Sequence, residues 1–276
     1  MKTLQSKKKK LISILSDLDS LLLAFSGGVD STFLLAVAHS MLGERLLAVT
    51  ACSAVHPEQE TRAAKDLAKK IGARHTLLQS GEMTLPNFTQ NSSDRCYHCK
   101  IHLFGLLLKK AEEKGIQSVA HGANLDDLND YRPGLRAARE MQILAPLMDA
   151  GLTKADIRDL SREMGLDTWD KPAMACLASR IPYGKTLTVE KLDMVEKAEE
   201  VLHALGFRHC RVRHHGGLAR IEVPPESFHV ILREVTAAEI VKRFRALGFV
   251  HISLDLEGYT QGSMNRGIAV IHERHP

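Results

Sequence analysis

Five segments along the chain share one punctuation: a helical alternation of charged and apolar residues, then glycine, then an apolar residue. The pairs are Gly72-Ala73, Gly115-Ile116, Gly165-Leu166, Gly206-Phe207 and Gly248-Phe249. Glycine is favoured where a helix ends in a left-handed turn, and the apolar residue after it closes that turn against the helix. Strand-like runs follow most of these stops, at 75–78, 117–120, 210–213 and 251–256, and two more lie at 21–25 and 46–51. Across residues 18–165 strand and helix alternate at the spacing of βαβ units. The pattern predicts an α/β domain: a doubly wound parallel sheet covered by helices on both faces.

The second half has another rhythm. A long amphipathic helix is predicted at 189–205, then short strands at 210–213 and 218–223, a break at Pro224-Pro225, a helix to about 247 and a last strand at 252–256. Helices on one side of a small, partly antiparallel sheet make a second, smaller α+β domain. The stretch 180–185, with Pro182 and Gly184, reads as the connection, so the domains are expected at 1–183 and 184–276. No internal repeat is visible.

Composition narrows the class. Of 276 residues, 44% are hydrophobic and 25% charged, which excludes a disordered chain. The longest apolar run, 33–38, is far below the ~18 residues of a membrane span. Lys7 to Lys10 precede an apolar stretch in the manner of a signal peptide, but Asp17 and Asp19 interrupt it, so a cytoplasmic protein is expected, with the lysines on a solvated face. Lys and Arg number 37 against 33 Asp and Glu; a net charge of +4 does not announce a nucleic-acid binder. Five cysteines are an odd number for a disulfide framework.

Between the first apolar strand and the next helical segment, read at 32–39, lies SGGVDS, Ser26 to Ser31. A strand that turns sharply into a helix aims unpaired N–H groups and the positive end of the helix dipole at the turn. Two glycines let the backbone approach an anion closely, and Ser26 and Ser31 add hydroxyls. GxxxxGK[ST] and GxGxxG are both absent, which counts against Walker-type and dinucleotide sites. His121-Gly122-Ala123-Asn124 and Asp126-Asp127 follow another strand, also at a carboxyl end. SGGVDS in this setting resembles the pyrophosphate loop of the N-type ATP pyrophosphatases, which include NAD synthetase, GMP synthetase and tRNA-thiolating enzymes. The resemblance implies adenylation: attack on the α-phosphorus of ATP with pyrophosphate leaving. It assigns ATP to Ser26, Gly27, Gly28, Val29, Asp30 and Ser31, with Thr50, Gly122, Asn124 and Asp126 nearby and magnesium at Asp30.

Cys96 and Cys99 form a CxxC in DRCYHCK, read as following a polar loop (90–94) and preceding a helix that starts near Ile101. Alone, CxxC fits a redox pair, half of a zinc site or two ligands of an iron–sulfur cluster. Cys176 stands in WDKPAMACLASRIPYG (169–184), flanked by Lys171 and Arg180, and cationic neighbours favour thiolate. Cys52 and Cys210 lie in apolar strand-like runs and are expected to pack. Arg211 and Arg213 alternate along a strand and so share a face, which suits a phosphate or carboxylate. Adjacent His214 and His215 point to opposite faces and read as a solvated turn.

Taken together, SGGVDS, DRCYHCK and WDKPAMACLASRIPYG make residues from about 5 to 265 similar to the LarE family, ATP-dependent sulfur transferases of nickel-pincer nucleotide biosynthesis. The resemblance implies adenylation of a carboxylate of pyridinium-3,5-biscarboxylic acid mononucleotide, followed by sulfur attack to give a thiocarboxylate. In one branch a cysteine matching Cys176 surrenders its own sulfur and becomes dehydroalanine. In the other, three cysteines hold a [4Fe-4S] cluster with one open iron. With Cys96, Cys99 and Cys176 all present, the cluster branch is expected, and zinc is a lesser alternative. On the substrate side the resemblance points to Ser179, Arg180, Glu199 or Glu200, and Glu222 beside Arg211 and Arg213. It also implies a homo-oligomer with no nucleic-acid or membrane partner; tRNA thiolation is the competing activity.

Overall fold

The computed structural model describes residues 3–129, 133–172 and 175–260; Ala173 and Met174 of the 169–184 motif, and residues 261–265 of the family likeness, lie outside the described residues. The chain divides into two compact units, Met1–Glu82 with Asp94–Met174, and Met83–Ser93 with Ala175–Pro276. Residues 175–183, read from sequence as the end of the first domain, thus cluster with the second unit, together with 83–93.

The first unit runs α1 (Leu4–Ser16), β1 (Leu21–Ala24), α2 (Val29–Leu42), β2 (Leu46–Cys52), α3 (Glu58–Ile71) and β3 (His75–Gln79). The chain then passes into the second unit for α4 (Pro86–Thr89) and returns for α5 (Arg95–Glu113), β4 (Ser118–His121), α6 (Pro133–Glu140), α7 (Pro146–Asp149) and α8 (Lys154–Glu163). Its sheet has the order β3-β2-β1-β4, and every pairing is parallel. Alternate side chains of the central strand serve two cores. Leu21 and Leu23 pack with Phe33, Leu34 and Leu35 of α2, whereas Leu22 packs with Leu103, Phe104 and Leu107 of α5. Period-two alternation with both faces apolar is what a doubly wound sheet requires. The strand order reverses at β1, so the carboxyl ends of β1 and β4 flank the crevice where open α/β sheets bind ligands.

The second unit contains α4, α9 (Val189–Ala204), β5 (Arg211–His215), β6 (Leu218–Glu222), α10 (Phe228–Ile231), α11 (Glu234–Ala246) and β7 (His251–Leu254). Its sheet, β5-β6-β7, is mixed: β5 and β6 are antiparallel, β6 and β7 parallel. Val212, Ala219 and Ile221 face the apolar core with Leu202, Phe244 and Phe249, leaving the arginines on the opposite face. All five glycine stops have positive φ, between 64° and 104°.

Three local expectations are corrected. Helix α5 begins at Arg95, so the CxxC lies in its first turn and not in the loop before it. His214 is buried on β5 and its ring packs 5.6 Å from that of Phe249, because an inward strand position continues to His214 before the Gly216-Gly217 turn. The solvated face expected for the N-terminal lysines is corrected only in part: Lys9 and Lys10 are exposed, whereas Lys7 and Lys8 are half-buried and pair with Asp156 and Glu163. Among the described residues no helix is long and apolar enough to cross a membrane.

Candidate active-site elements

At the end of β1 the chain turns through Ser26-Gly27-Gly28 into α2, whose N-cap is Gly28. Gly27 has φ +69°, and a Cβ there would lie 3.1 Å from Ala64 of α3, so the turn needs glycine on both grounds. The Ser31 hydroxyl receives the Ser26 N–H at 3.3 Å and donates to the Gly28 carbonyl at 3.3 Å, and it lies 3.1 Å from the Ser26 hydroxyl. These bonds fix the first turn of α2, whose end N–H groups suit an anion. Gly122, just past β4, closes the other side: a Cβ would sit 3.1 Å from the Ser31 nitrogen and 3.2 Å from its Cα.

Two lysines that sequence reasoning did not assign to the loop hold it. Lys171 donates to the Gly27 carbonyl at 3.1 Å and to the Glu60 carboxylate at 2.7 Å, so its charge is spent here. Lys154 pairs with Oδ2 of Asp30, while Oδ1 of Asp30 is buried without a hydrogen-bond partner. A buried carboxylate oxygen left open beside a phosphate loop fits magnesium, which is bound through one or two carboxylates plus substrate phosphates. The Asp126 carboxylate accepts the Lys154 backbone N–H at 2.8 Å, and its own N–H donates to the Asn124 side chain at 2.9 Å. Asp127 is buried and accepts the Asn124 N–H at 3.0 Å, so neither aspartate is a plain solvated turn. Thr50 is buried within β2, its hydroxyl 2.8 Å from the His75 ring. At the end of β4, burial and the nearby Lys100 push the His121 imidazole down to about 4.

Cys96 and Cys99 occupy the first turn of α5, three residues apart, and both are half-buried. That spacing puts both thiols on one helical face, at the end of the helix that favours anions. Soft paired thiolates fit an iron–sulfur cluster or zinc. The third cysteine, Cys176, belongs to the second unit. Among the described residues, no group of three or more His, Cys, Asp or Glu side chains is arranged to hold a metal ion. Cys52 and Cys210 pack as expected: burial raises both thiols, Cys210 to about 12.

In the second unit Cys176 opens a 3-10 turn, Leu177–Arg180. Arg180 is buried and forked onto Glu199, with Nε to Oε1 at 2.9 Å and Nη2 to Oε2 at 2.8 Å. Its Nη1 donates to the Ala175 carbonyl at 2.7 Å, the Cys176 carbonyl at 3.1 Å and the Ser179 hydroxyl at 3.0 Å. Arg213 is forked onto Glu222 at 2.9 and 2.7 Å and donates to the Ser179 carbonyl at 3.0 Å. Of the two candidate glutamates, Glu199 points inward, whereas Glu200 is exposed. Burial would lower Arg180, but the Glu199 carboxylate raises it; Arg211 is lowered, first by burial and then by the positive charge of Arg180. Asn91 was not anticipated either. Wholly buried, it donates to the carbonyls of Pro182 at 2.8 Å and Lys185 at 2.9 Å, and so shapes the stretch after the Cys176 turn.

The parallel sheet and SGGVDS loop define a PP-loop domain of the ATP pyrophosphatase type, and residues 18–93 match the asparagine synthase family. Over 96% of both chains the protein is 37% identical to pyridinium-3,5-bisthiocarboxylic acid mononucleotide synthase of Lactiplantibacillus plantarum. It is 44% identical to an uncharacterized protein of Synechocystis sp., over 95% of this chain and 98% of the relative. A further uncharacterized protein, from Methanocaldococcus jannaschii, is 30% identical over 91% and 97% of the respective chains. The chain belongs to the LarE family of ATP-dependent sulfur transferases.

Proposed function

We propose that the protein adenylates a carboxylate of pyridinium-3,5-biscarboxylic acid mononucleotide and converts it to a thiocarboxylate. The near full-length similarity to a synthase of the bisthiocarboxylic acid mononucleotide carries this reading. The α2 N-terminus and the Ser26–Ser31 backbone bind the pyrophosphate part of ATP, and Lys154 and Asp30, with magnesium, balance its charge. The substrate carboxylate oxygen attacks the α-phosphorus; the bond to the β-phosphate oxygen breaks and pyrophosphate leaves. Hydrosulfide then attacks the acyl carbon, the bond to AMP breaks, and one proton is released with the thiocarboxylate. Cys96, Cys99 and Cys176 would hold a [4Fe-4S] cluster, which would offer an open iron for the sulfide. Arg211 on β5, whose positive charge is disfavoured first by burial and then by Arg180, takes the substrate phosphate or second carboxylate.

A second reading rests on how firmly the Cys176 backbone is held: its thiolate attacks the acyl adenylate directly, the bond to AMP breaks and a thioester forms. Loss of the α-proton then breaks the Cβ–S bond, leaving dehydroalanine and the thiocarboxylate. Anaerobic reconstitution with iron and sulfide, followed by one turnover and mass measurement of the protein, tests both. The cluster reading expects visible iron–sulfur absorption, lost on substituting any of the three cysteines, and an unchanged protein mass. Loss of hydrogen sulfide at residue 176 establishes the sacrificial route. Absence of pyrophosphate release with the carboxylated pyridinium nucleotide refutes the adenylation itself. We further propose a cytoplasmic homo-oligomer acting on a small nucleotide.

A further inference from the structure

We infer that Arg180 and Arg213, each locked in a buried fork with a glutamate, are positioning residues that hold the Cys176 turn in place, and are not binders of a substrate anion. This rests on the proposal that Cys176 carries or ligates the transferred sulfur.

The two ion pairs are built alike. Arg180 sits on Glu199 and Arg213 on Glu222, both through parallel N–H···O bonds of 2.7–2.9 Å, and all four residues are buried. A guanidinium in this geometry has its charge matched and two of its five donors used, so it offers an anion little. The remaining donors run to the backbone of one short segment. Arg180 takes the carbonyls of Ala175 and Cys176, and Arg213 takes that of Ser179. Three carbonyls within five residues, with the sulfur-bearing residue among them, are thus fixed by two charged forks.

The glutamates are anchored in turn. Glu199 also accepts the Val212 backbone N–H at 3.0 Å, which ties α9 to β5, and Glu222 also accepts from Arg220 at 3.0 Å. The chain of contacts runs from the core strands through carboxylate and guanidinium to the Cys176 carbonyl. A double charge clamp on one turn is costly to desolvate and fits a need for exact placement. Arg211 differs. It donates to the Cys210 carbonyl at 2.7 Å and its guanidinium lies 5.2 Å from the Tyr259 ring. Arg213 thus holds the turn, and Arg211, proposed above as the substrate contact, serves as its comparison in the test.

The test compares Arg180→Lys, Arg213→Lys and Arg211→Lys with the wild type, as full-length reconstituted protein. Lysine keeps the charge but cannot fork. For Arg180→Lys we expect kcat of sulfur transfer to fall roughly hundredfold, as for a misplaced reacting group, with KM for the pyridinium nucleotide changed less than about twofold. Arg211→Lys should instead raise KM. Independently of turnover, the alkylation rate of Cys176 by iodoacetamide in the same full-length proteins before reconstitution, followed by peptide mass spectrometry, should shift severalfold in both clamp variants, with Cys96 and Cys99 unchanged. A raised KM at unchanged kcat for Arg180→Lys, or a wild-type alkylation rate at Cys176 in both clamp variants, overturns the inference. Should the clamp variants not fold, isosteric Glu199→Gln, which keeps the side-chain shape but replaces one acceptor oxygen of the fork with an amide donor, is read by the same alkylation assay. If the wild type shows no sulfur transfer, the functional proposal fails, and the alkylation rates still decide the clamp.

Discussion

Replacing Gly122 with alanine should damage the phosphate loop without touching any side chain of it. The added Cβ would lie 3.1 Å from the Ser31 nitrogen, 3.2 Å from its Cα and 3.4 Å from the Asp30 carbonyl carbon. All three are backbone atoms of the first turn of α2, so no rotamer change relieves the contact, and the loop or the end of β4 must shift by a few tenths of an ångström. Overpacking of this kind costs about 1–3 kcal/mol. Restricting the unfolded chain returns about 0.4–1 kcal/mol. The net loss is therefore about 1–2 kcal/mol, a fall of roughly 2–8 °C in melting temperature for a chain of this size. Because the displaced atoms include the Ser31 N–H of the first turn of α2, where the proposed pyrophosphate would bind, ATP binding should weaken by about tenfold, the worth of one charge-assisted hydrogen bond. Gly105→Ala is the matched control. Its Cβ would meet nothing nearer than the Met141 methyl at 3.9 Å within helix α5, so the same atom added there should stabilise by about 0.5–1 kcal/mol. Thermal melts and ATP–pyrophosphate exchange read both variants. A Gly122→Ala protein with wild-type melting temperature and wild-type KM for ATP would refute the close approach of β4 to the loop.

Three further outcomes follow from the same geometry. Lys171→Met removes the ammonium that joins the Gly27 carbonyl to Glu60, and should raise KM for ATP several-fold while the melting temperature changes by no more than about 2 °C; a nucleotide titration checks it. Asn91→Ala strips donors from the Pro182 and Lys185 carbonyls and places alanine at φ 58°, which together should cost about 2–4 kcal/mol, measured by denaturant unfolding, with faster proteolysis at 181–185. His121 is displaced by burial and Lys100 from its ordinary 6.5 to about 4, so the unfolded chain takes up this proton first. The stability it contributes is present above pH 6.5 and is lost as the pH falls toward 4, by up to ~3 kcal/mol. His121→Phe should flatten that acid limb in unfolding titrations at pH 7 and pH 5, and an unaltered slope would count against a buried neutral imidazole.

The parts of the molecule that were legible in the sequence are those where local pattern and tertiary role coincide. Each of the five glycine stops needs a left-handed turn wherever its helix packs, and the all-leucine start of β1 can be buried on both faces only in a covered parallel sheet. The strand, turn and helix around SGGVDS were readable for the same reason, since they are set locally. The start of α5 was missed because Arg95 to Lys100 carries no apolar stripe; the helix there is continued by packing further along, at Leu103, Phe104 and Leu107. His214 was misjudged through its polar neighbours, although its inward position is set by the register of Ala219 opposite.

Charge pairing was the least legible feature, since partners far apart in sequence leave no pattern. Lys171 reads as a neighbour of Cys176, five residues away, yet its ammonium meets Gly27 and Glu60, more than a hundred residues earlier. Arg213 reads as an open cation on an alternating strand, yet Glu222 lies two positions along the hairpin's diagonal and closes on it. Alternation correctly places arginines on one face, but whether such a face binds anions or grips its own backbone depends on the carboxylates opposite. A guanidinium already matched by a buried carboxylate gains little from a second anion, whereas one lowered by burial and by a like charge gains most. On that ground the fork of Arg213 onto Glu222, and its bond to the Ser179 carbonyl, assign this arginine to the protein's own backbone.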